Sequence, residues 1–285
     1  MINVLVTGST GNIGSFVVEK LVEVGVGVKA AVTNQEKGIK FFSGKPVEVV
    51  EFDFTRHETY SQALEGVKKI FLVRPPKLAK PREEMFPFLE EAKRAGVEQI
   101  VFVSLLGVEK NPVVPHRKIE DYICELDLPF TFLRPSFFMQ NLNTTHRDDI
   151  LLRDEIFLPV GKAKTSFIDT RDIAEIAAIC LTEEIHKNKA YTLTGSEAIT
   201  YYEVASTMSE VLNRRITYTN PSVLEFRMTL IKRGTPKEFA NVMTLLYLMT
   251  KLGTARHTTQ EAEKILKRKP ITFKQYIEDH KQYFQ

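Results

Sequence analysis

The sequence is sparing in the residues that mark secreted, metal-binding, membrane-spanning and nucleic-acid-binding chains. Its 285 residues include only two cysteines, Cys124 and Cys180. They are too few and too far apart for a disulfide framework or a zinc site. Both fall in helical patterns and are expected to be buried thiols in a reducing cytoplasm. The net charge is +3 with no long basic run, so electrostatics lends nucleic-acid binding no support. The longest apolar stretch, near 239–249, is too short to cross a bilayer and is interrupted by Asn241 and Thr244. No basic leader or cleavable apolar segment precedes the first strand. His57, His146, His186, His257 and His280 are dispersed without metal-ligand spacing. No G-x-S-x-G nucleophile elbow, internal repeat or low-complexity linker occurs. A chain that is 43% hydrophobic and 26% charged is globular in composition and long enough to bury a sizeable core. These observations favour a cytoplasmic protein, monomer or homodimer. No direct nucleic-acid partner and no membrane is expected.

What the sequence does contain begins at once. The apolar run Ile2–Val6 reads as a buried strand, and Phe16, Val17, Val18, Leu21 and Val22 follow at helical spacing. Between them lies Val6-Thr7-Gly8-Ser9-Thr10-Gly11-Asn12-Ile13-Gly14. Glycines in that context permit a tight turn, a close backbone approach to a pyrophosphate and hard packing of helix on strand. Free amides and the helix dipole then hold the phosphate charge. The spacing is G-x-x-G-x-x-G, not G-x-G-x-x-G. The loop residues Gly8, Thr10, Gly11, Asn12, Ile13 and Gly14 are therefore assigned to a dinucleotide.

Further strands are expected at 26–32, 46–52, 67–73, 97–103 and 129–135, with helices between them. A capping box at Thr55–Glu58 should open one of those helices. Strand–helix alternation over this length predicts an α/β fold, a doubly wound parallel sheet of the Rossmann kind. The second half is more helical, with helices following Asp169, Thr200 and Thr235. One of them sets Phe239, Val242, Met243, Leu246 and Met249 on one face. The expected division is a dinucleotide-binding domain over 1–155, a strand and helix completing its sheet over 156–189, and a small, mainly helical substrate lobe over 190–285.

Ligands in such sheets sit beyond the carboxyl ends of the strands. The second strand ends in Thr33-Asn34-Gln35-Glu36-Lys37. Neither Thr33 nor Asn34 repels a ribose 2′-phosphate, and Lys37 is placed to reach one. NADP(H) is therefore preferred and NAD(H) possible, although no arginine stands there. Thr33 or Asn34 also serves as a helix cap in either case. After the third strand, Asp53 is expected either to accept from the adenine amino group, with Phe54 along the ring, or simply to cap the next helix.

The glycine turn, Asp53, Phe102-Val103-Ser104, and Leu133-Arg134-Pro135-Ser136-Phe137-Phe138-Met139-Gln140-Asn141-Leu142 together resemble the NmrA-like branch of the atypical short-chain dehydrogenase/reductases. Phe167–Ala174 and Arg268–Phe273 extend the likeness to nearly the whole chain. The resemblance implies pyrophosphate contacts at Gly8, Gly11 and Gly14. It implies a cofactor contact at Val73 and Arg74, and a nicotinamide side at Ser104, Pro135 and Phe138. It also implies one of two roles: an NAD(P)H-dependent reductase of quinones or dyes, or a redox sensor that binds the cofactor without turnover. Nucleotide-sugar epimerase is a third possibility, but that chemistry needs a tyrosine base. The Tyr-x-x-x-Lys pair of catalytic short-chain dehydrogenases has no counterpart here. In its place stands His116-Arg117-Lys118-Ile119-Glu120, with His116 and Glu120 on one helical face. His116 is a candidate proton donor, since imidazole titrates near neutrality, or else a capping or surface residue. Lys118 is a candidate ribose or phosphate ligand, or else a solvated position. Phe137, Phe138, Met139 and the Met-rich helix 237–252 are candidates for lining an apolar pocket, or else core.

Overall fold

A computed structural model describes residues 3–285. Ile2, read as part of the first strand, lies outside the described residues. In chain order the first half forms β1 (Asn3–Val6), α1 (Gly14–Glu23), β2 (Gly27–Val32), α2 (Gln35–Phe41), β3 (Glu48–Glu51), α3 (Tyr60–Leu64), β4 (Lys69–Val73), α4 (Pro81–Glu84), α5 (Phe86–Arg94), β5 (Gln99–Val103), α6 (Pro115–Glu125) and β6 (Phe130–Pro135). The second half forms β7 (Phe137–Phe138), α7 (Arg147–Arg153), β8 (Glu155–Ile156), β9 (Lys164–Ile168), α8 (Thr170–Thr182), β10 (Lys189–Leu193), β11 (Ala198–Thr200), α9 (Tyr201–Leu212), β12 (Thr217–Tyr218), α10 (Val223–Lys232), α11 (Lys237–Lys251), α12 (Glu261–Leu266) and α13 (Phe273–Asp279).

The main sheet has seven strands in the order β10-β6-β5-β4-β1-β2-β3, all parallel. Strand order reverses between β1 and β4, which creates the crevice that doubly wound sheets offer to ligands. The inner strands read as continuous apolar runs because both faces are covered. β5, Gln-Ile-Val-Phe-Val, is buried throughout. One face packs Leu5, Ile70, Leu72, Ile100 and Phe102 against Phe88 and Leu89 of α5 and Ile119 and Ile123 of α6.

The chain divides into two compact units, Met1–Pro135 with Thr170–Leu193, and Ser136–Asp169 with Thr194–Gln285. This departs from the expected boundaries in two ways. β9 does not complete the main sheet; it pairs with β11 and β7 in a separate three-stranded sheet. The edge it would have occupied is taken by β10, which runs alongside β6 from Lys189↔Thr131 to Leu193↔Pro135. Asn188 fixes that register: its N–H donates to the Phe130 carbonyl at 2.6 Å, and its Oδ1 accepts from the Phe130 N–H at 3.3 Å. The second unit has its own core, in which Tyr201, Met208, Phe226, Met243, Tyr247 and Phe273 meet.

Three smaller expectations are also corrected. The box at Thr55–Glu58 does not form. Asp53 Oδ1 accepts from the Thr55 N–H at 2.8 Å and the Thr55 hydroxyl at 2.7 Å, an Asx turn that competes with the cap. Cys124 is exposed, and only Cys180 is buried. On α11 the buried positions are Ala240, Met243, Tyr247 and Thr250, one residue out of phase with most of the expected face.

Candidate functional site

The crevice at the β1/β4 reversal is built by side chains that the flanking strands cannot do without. Thr7, fully buried, donates its hydroxyl to the Phe71 carbonyl at 3.1 Å and accepts from the Val73 N–H at 2.9 Å. It thereby carries the β1–β4 pairing past the end of the strand. Ser9 Oγ donates to the Ala31 carbonyl of β2 at 2.8 Å. The loop between these two anchors is pinned on both sides, while Gly8, Thr10, Gly11 and Asn12 stay exposed.

Gly8 has φ +59°, a conformation that favours glycine. Gly14 is required by crowding: a Cβ there would lie 2.2 Å from the Gly8 carbonyl oxygen and 2.7 Å from its carbon. The first turn of α1 therefore sits directly against the loop. That turn carries no acidic residue, and Ile13 at its N-cap contributes no side-chain cap. Among the described residues no backbone carbonyl accepts from the N–H of Asn12 or Ile13. An open loop of unused amides at a positive helix end fits the diphosphate of a dinucleotide.

At the end of β2, Thr33, Asn34 and Lys37 are all exposed. Asn34 caps α2, its Oδ1 accepting from the Lys37 N–H at 2.9 Å, which leaves the Lys37 ammonium at the rim. At the end of β3, the Thr55 N–H is the main cause holding the Asp53 carboxyl below its usual range, with the Thr55 hydroxyl and Arg56 adding to it. Phe54 points the other way. It is buried, edge-on to Phe52 and Phe88 at 4.7 and 5.4 Å. It belongs to the core rather than beside an adenine, because two neighbouring aromatics offer it a better surface.

Val73 lies against the loop, 3.7 Å from where a Gly8 Cβ would stand. Arg74 turns back into its own loop. One guanidinium nitrogen donates to the carbonyls of Pro75 at 3.1 Å, Pro76 at 3.3 Å and Leu78 at 2.6 Å. Its Nε approaches His116 Nε2 at 3.5 Å. His116 stacks on Phe102 with centroids 5.9 Å apart. Burial, and secondarily the Arg74 charge, push its imidazolium down to about 3. It is neutral at physiological pH, so it is neither the near-neutral acid nor the surface residue that the sequence allowed. Lys118 is exposed on α6. At the end of β5, Ser104 is buried, and its Oγ has no partner among the described residues.

The second unit holds the rest of the Pro135–Phe138 turn. Phe138 is half-buried, and β7 pairs through it with Ile168. Pro135 closes β6 in the first unit, where its carbonyl accepts from the Leu106 N–H at 3.0 Å.

The residue before the turn has a role that sequence reasoning missed. Arg134 forms a two-pronged pair with Glu120, Nε to Oε1 at 3.0 Å and a terminal nitrogen to Oε2 at 2.7 Å. Glu120 is almost fully buried. Glu120 on that helical face thus serves a structural ion pair between α6 and β6. The signal was present: a charged residue inside a buried parallel strand requires a partner.

The model of the NmrA-like family matches residues 2–277. The chain belongs to the NmrA-like family. Among the relatives of this family member are an uncharacterized oxidoreductase, YesF, of Bacillus subtilis (strain 168) and the NAD(P)H azoreductase of Xenophilus azovorans. The first is 31% identical over 99% of this chain and 96% of that protein. The second is 31% identical over 97% of each. A solved structure, the Citrobacter sp. triphenylmethane reductase complexed with NADP(H), superposes with a TM-score of 0.86 at 25% identity, covering 97% of this chain and 99% of that one.

Proposed function

We propose that this NmrA-like protein is an NAD(P)H-dependent oxidoreductase, with NADP(H) preferred, that reduces a small apolar acceptor such as a quinone or a dye. The observation that carries the reading is the glycine loop, whose Asn12 and Ile13 amides have no backbone acceptor among the described residues and stand at the uncapped N-terminus of α1, at the strand reversal. The amides of Asn12 and Ile13 hold the diphosphate. Lys37 faces the 2′-phosphate, and Asp53 stands at the adenosine end. Val73 backs the loop, and Arg74 shapes the wall after β4 by holding its own carbonyls. Ser104 offers an unused hydroxyl on the nicotinamide side, with Pro135 at the end of the neighbouring strand β6. When bound, the reduced cofactor supplies the hydride. Acceptors that take hydride without a protein acid suit a site whose histidine is neutral and whose lysine, Lys118, faces solvent. Those same two features favour a second reading, a cofactor sensor without turnover. The azoreductase and triphenylmethane reductase relatives support the enzyme.

The test is a panel of quinones, azo compounds and cationic dyes incubated with protein and NADPH, following loss of the reduced cofactor's absorbance. Turnover with any of them supports the enzyme. Tight NADPH binding without turnover selects the sensor. Absence of affinity for either pyridine nucleotide defeats both. No helix among the described residues is long and apolar enough to cross a membrane, and we place the protein in the cytoplasm.

A further inference from the structure

The second unit carries an apolar surface that its own core does not use. α10 and α11 pair as a helical hairpin, latched by Arg227 Nε donating to Asn241 Oδ1 at 2.7 Å. The face of α11 opposite its buried positions shows Phe239, Val242, Leu245, Leu246, Met249 and Leu252, each between 43% and 70% exposed. α10 adds Leu224, Met228 and Ile231 beside them. These nine side chains present roughly 800 Å² of apolar surface, above the usual largest patch of a monomer and equal to one partner's share of a standard stable interface.

The spacing of the α11 stripe identifies its occupant. The six positions are separated by 3, 3, 1, 3 and 3 residues, which reads the same in both directions. A two-fold axis passing between Leu245 and Leu246 therefore superposes the stripe on itself, as an isologous interface demands. Phe239 then meets Leu252 of the partner subunit, Val242 meets Met249 of the partner subunit, and Leu245 meets Leu246 of the partner subunit. Phe239, Val242, Leu246 and Met249 also hold the a and d positions of two heptads, the seam that packs helix against helix. The same axis brings Glu238 within one turn of Lys251 of the partner subunit. Neither Glu238 nor Lys251 has an ion-pair partner in its own chain among the described residues. The antiparallel arrangement also sets opposite helix dipoles side by side.

We propose that this face is a homodimer interface, with α11 packed antiparallel on α11 of a second copy about a dyad at Leu245 and Leu246. The proposal is independent of what the glycine loop binds.

Sedimentation velocity tests it on the full chain. Wild-type protein at micromolar concentration is expected to sediment at twice the 32.6 kDa of one chain. Leu245→Glu sets a carboxylate beside the axis on each copy. It is expected to weaken association at least hundredfold, with the circular dichroism spectrum and melting temperature of each chain retained, since Leu245 is 61% exposed. The double variant Leu245→Glu/Leu246→Lys restores the dimer, because the axis opposes one substitution to the other across the interface. A wild-type protein that stays monomeric overturns the proposal, whether it is inert or instead co-sediments with anionic vesicles. So does a Leu245→Glu variant that remains dimeric, or a double variant no tighter than the single one.

Discussion

Gly14→Ala is the sharpest test of the loop. The added Cβ would stand 2.2 Å from the Gly8 oxygen, 2.7 Å from the Gly8 carbon and 3.0 Å from the Ser9 Cα. All three are backbone atoms, so no side chain can swing aside; either α1 retreats from the loop or the loop opens. Overpacking of this kind costs about 1–3 kcal/mol of stability. Binding should suffer more, because the amides of Asn12 and Ile13 move with the helix start. Hydrogen bonds to a charged group contribute about 1.5–3 kcal/mol each, so misplacing one or two weakens NADPH binding roughly 10- to 10,000-fold at about 1.4 kcal/mol per decade. Gly11→Ala is the graded control. Its Cβ would lie 3.2 Å from the same Gly8 oxygen, which a shift of a few tenths of an ångström relieves. Isothermal titration with NADPH and urea unfolding measure the two effects separately. Gly14→Ala protein that binds as tightly as wild type at unchanged stability would refute the reasoning, as would Gly11→Ala proving the more damaging.

The other predictions concern charge. Lys37→Ala should weaken NADPH roughly tenfold while leaving NADH nearly unchanged, as expected for one charge-assisted contact to a phosphate; equal losses for both cofactors would remove Lys37 from the 2′-phosphate. Glu120→Ala removes the two-pronged partner of the partly buried Arg134 guanidinium, leaving Glu109 at 3.6 Å, and should cost about 2–3 kcal/mol in urea unfolding, whereas an effect below about 1 kcal/mol would make the pair superficial. His116 and His146 are held at about 3 and about 4 when folded, chiefly by burial, against 6.5 when free. Below pH 6.5 the unfolded chain takes up protons that the native state refuses. Stability is therefore intact above that pH and falls as pH drops towards 4, by up to about 1.4 kcal/mol per unit for each imidazole. His116→Asn should flatten that fall in urea midpoints measured from pH 7 to 4.5. Turnover of a quinone should likewise show no ionisation near 6.5 traceable to His116; a pH profile that loses such a limb in His116→Asn would reinstate the histidine as an acid.

What the sequence disclosed followed from short-range pattern. The alternation of apolar runs with helical spacing yields the parallel sheet. The glycine turn yields the reversal point, since only residues 7–13 separate the strand from the helix. Choices decided by distant partners were hidden. Residues 164–168 stay out of the main sheet because β10 pairs with β6 there, and nothing local to those residues carries that information. Phe54 and Asp53 are adjacent yet opposed, because a strand end alternates its side chains; only the aromatic cluster around Phe88 reveals which one faces the crevice. His116 titrates low through burial and Arg74, 42 residues away in sequence, so its residue type alone was misleading. On α11 both faces are apolar, and periodicity cannot say which of two neighbouring stripes the core will choose.

The boundaries between the two units have a bearing on how the molecule is made. The chain crosses from one to the other after Pro135, returns at Thr170 and leaves again after Leu193. During synthesis the first 135 residues emerge with β6 as an open edge until Lys189–Leu193 arrives to close it. By then residues 136–169 have already left the ribosome, while their remaining core partners, Thr194 onward, have not. The first unit therefore cannot complete its sheet until residue 193 has been made, and a fragment cut at Pro135 is expected to keep β6 as an open, association-prone edge.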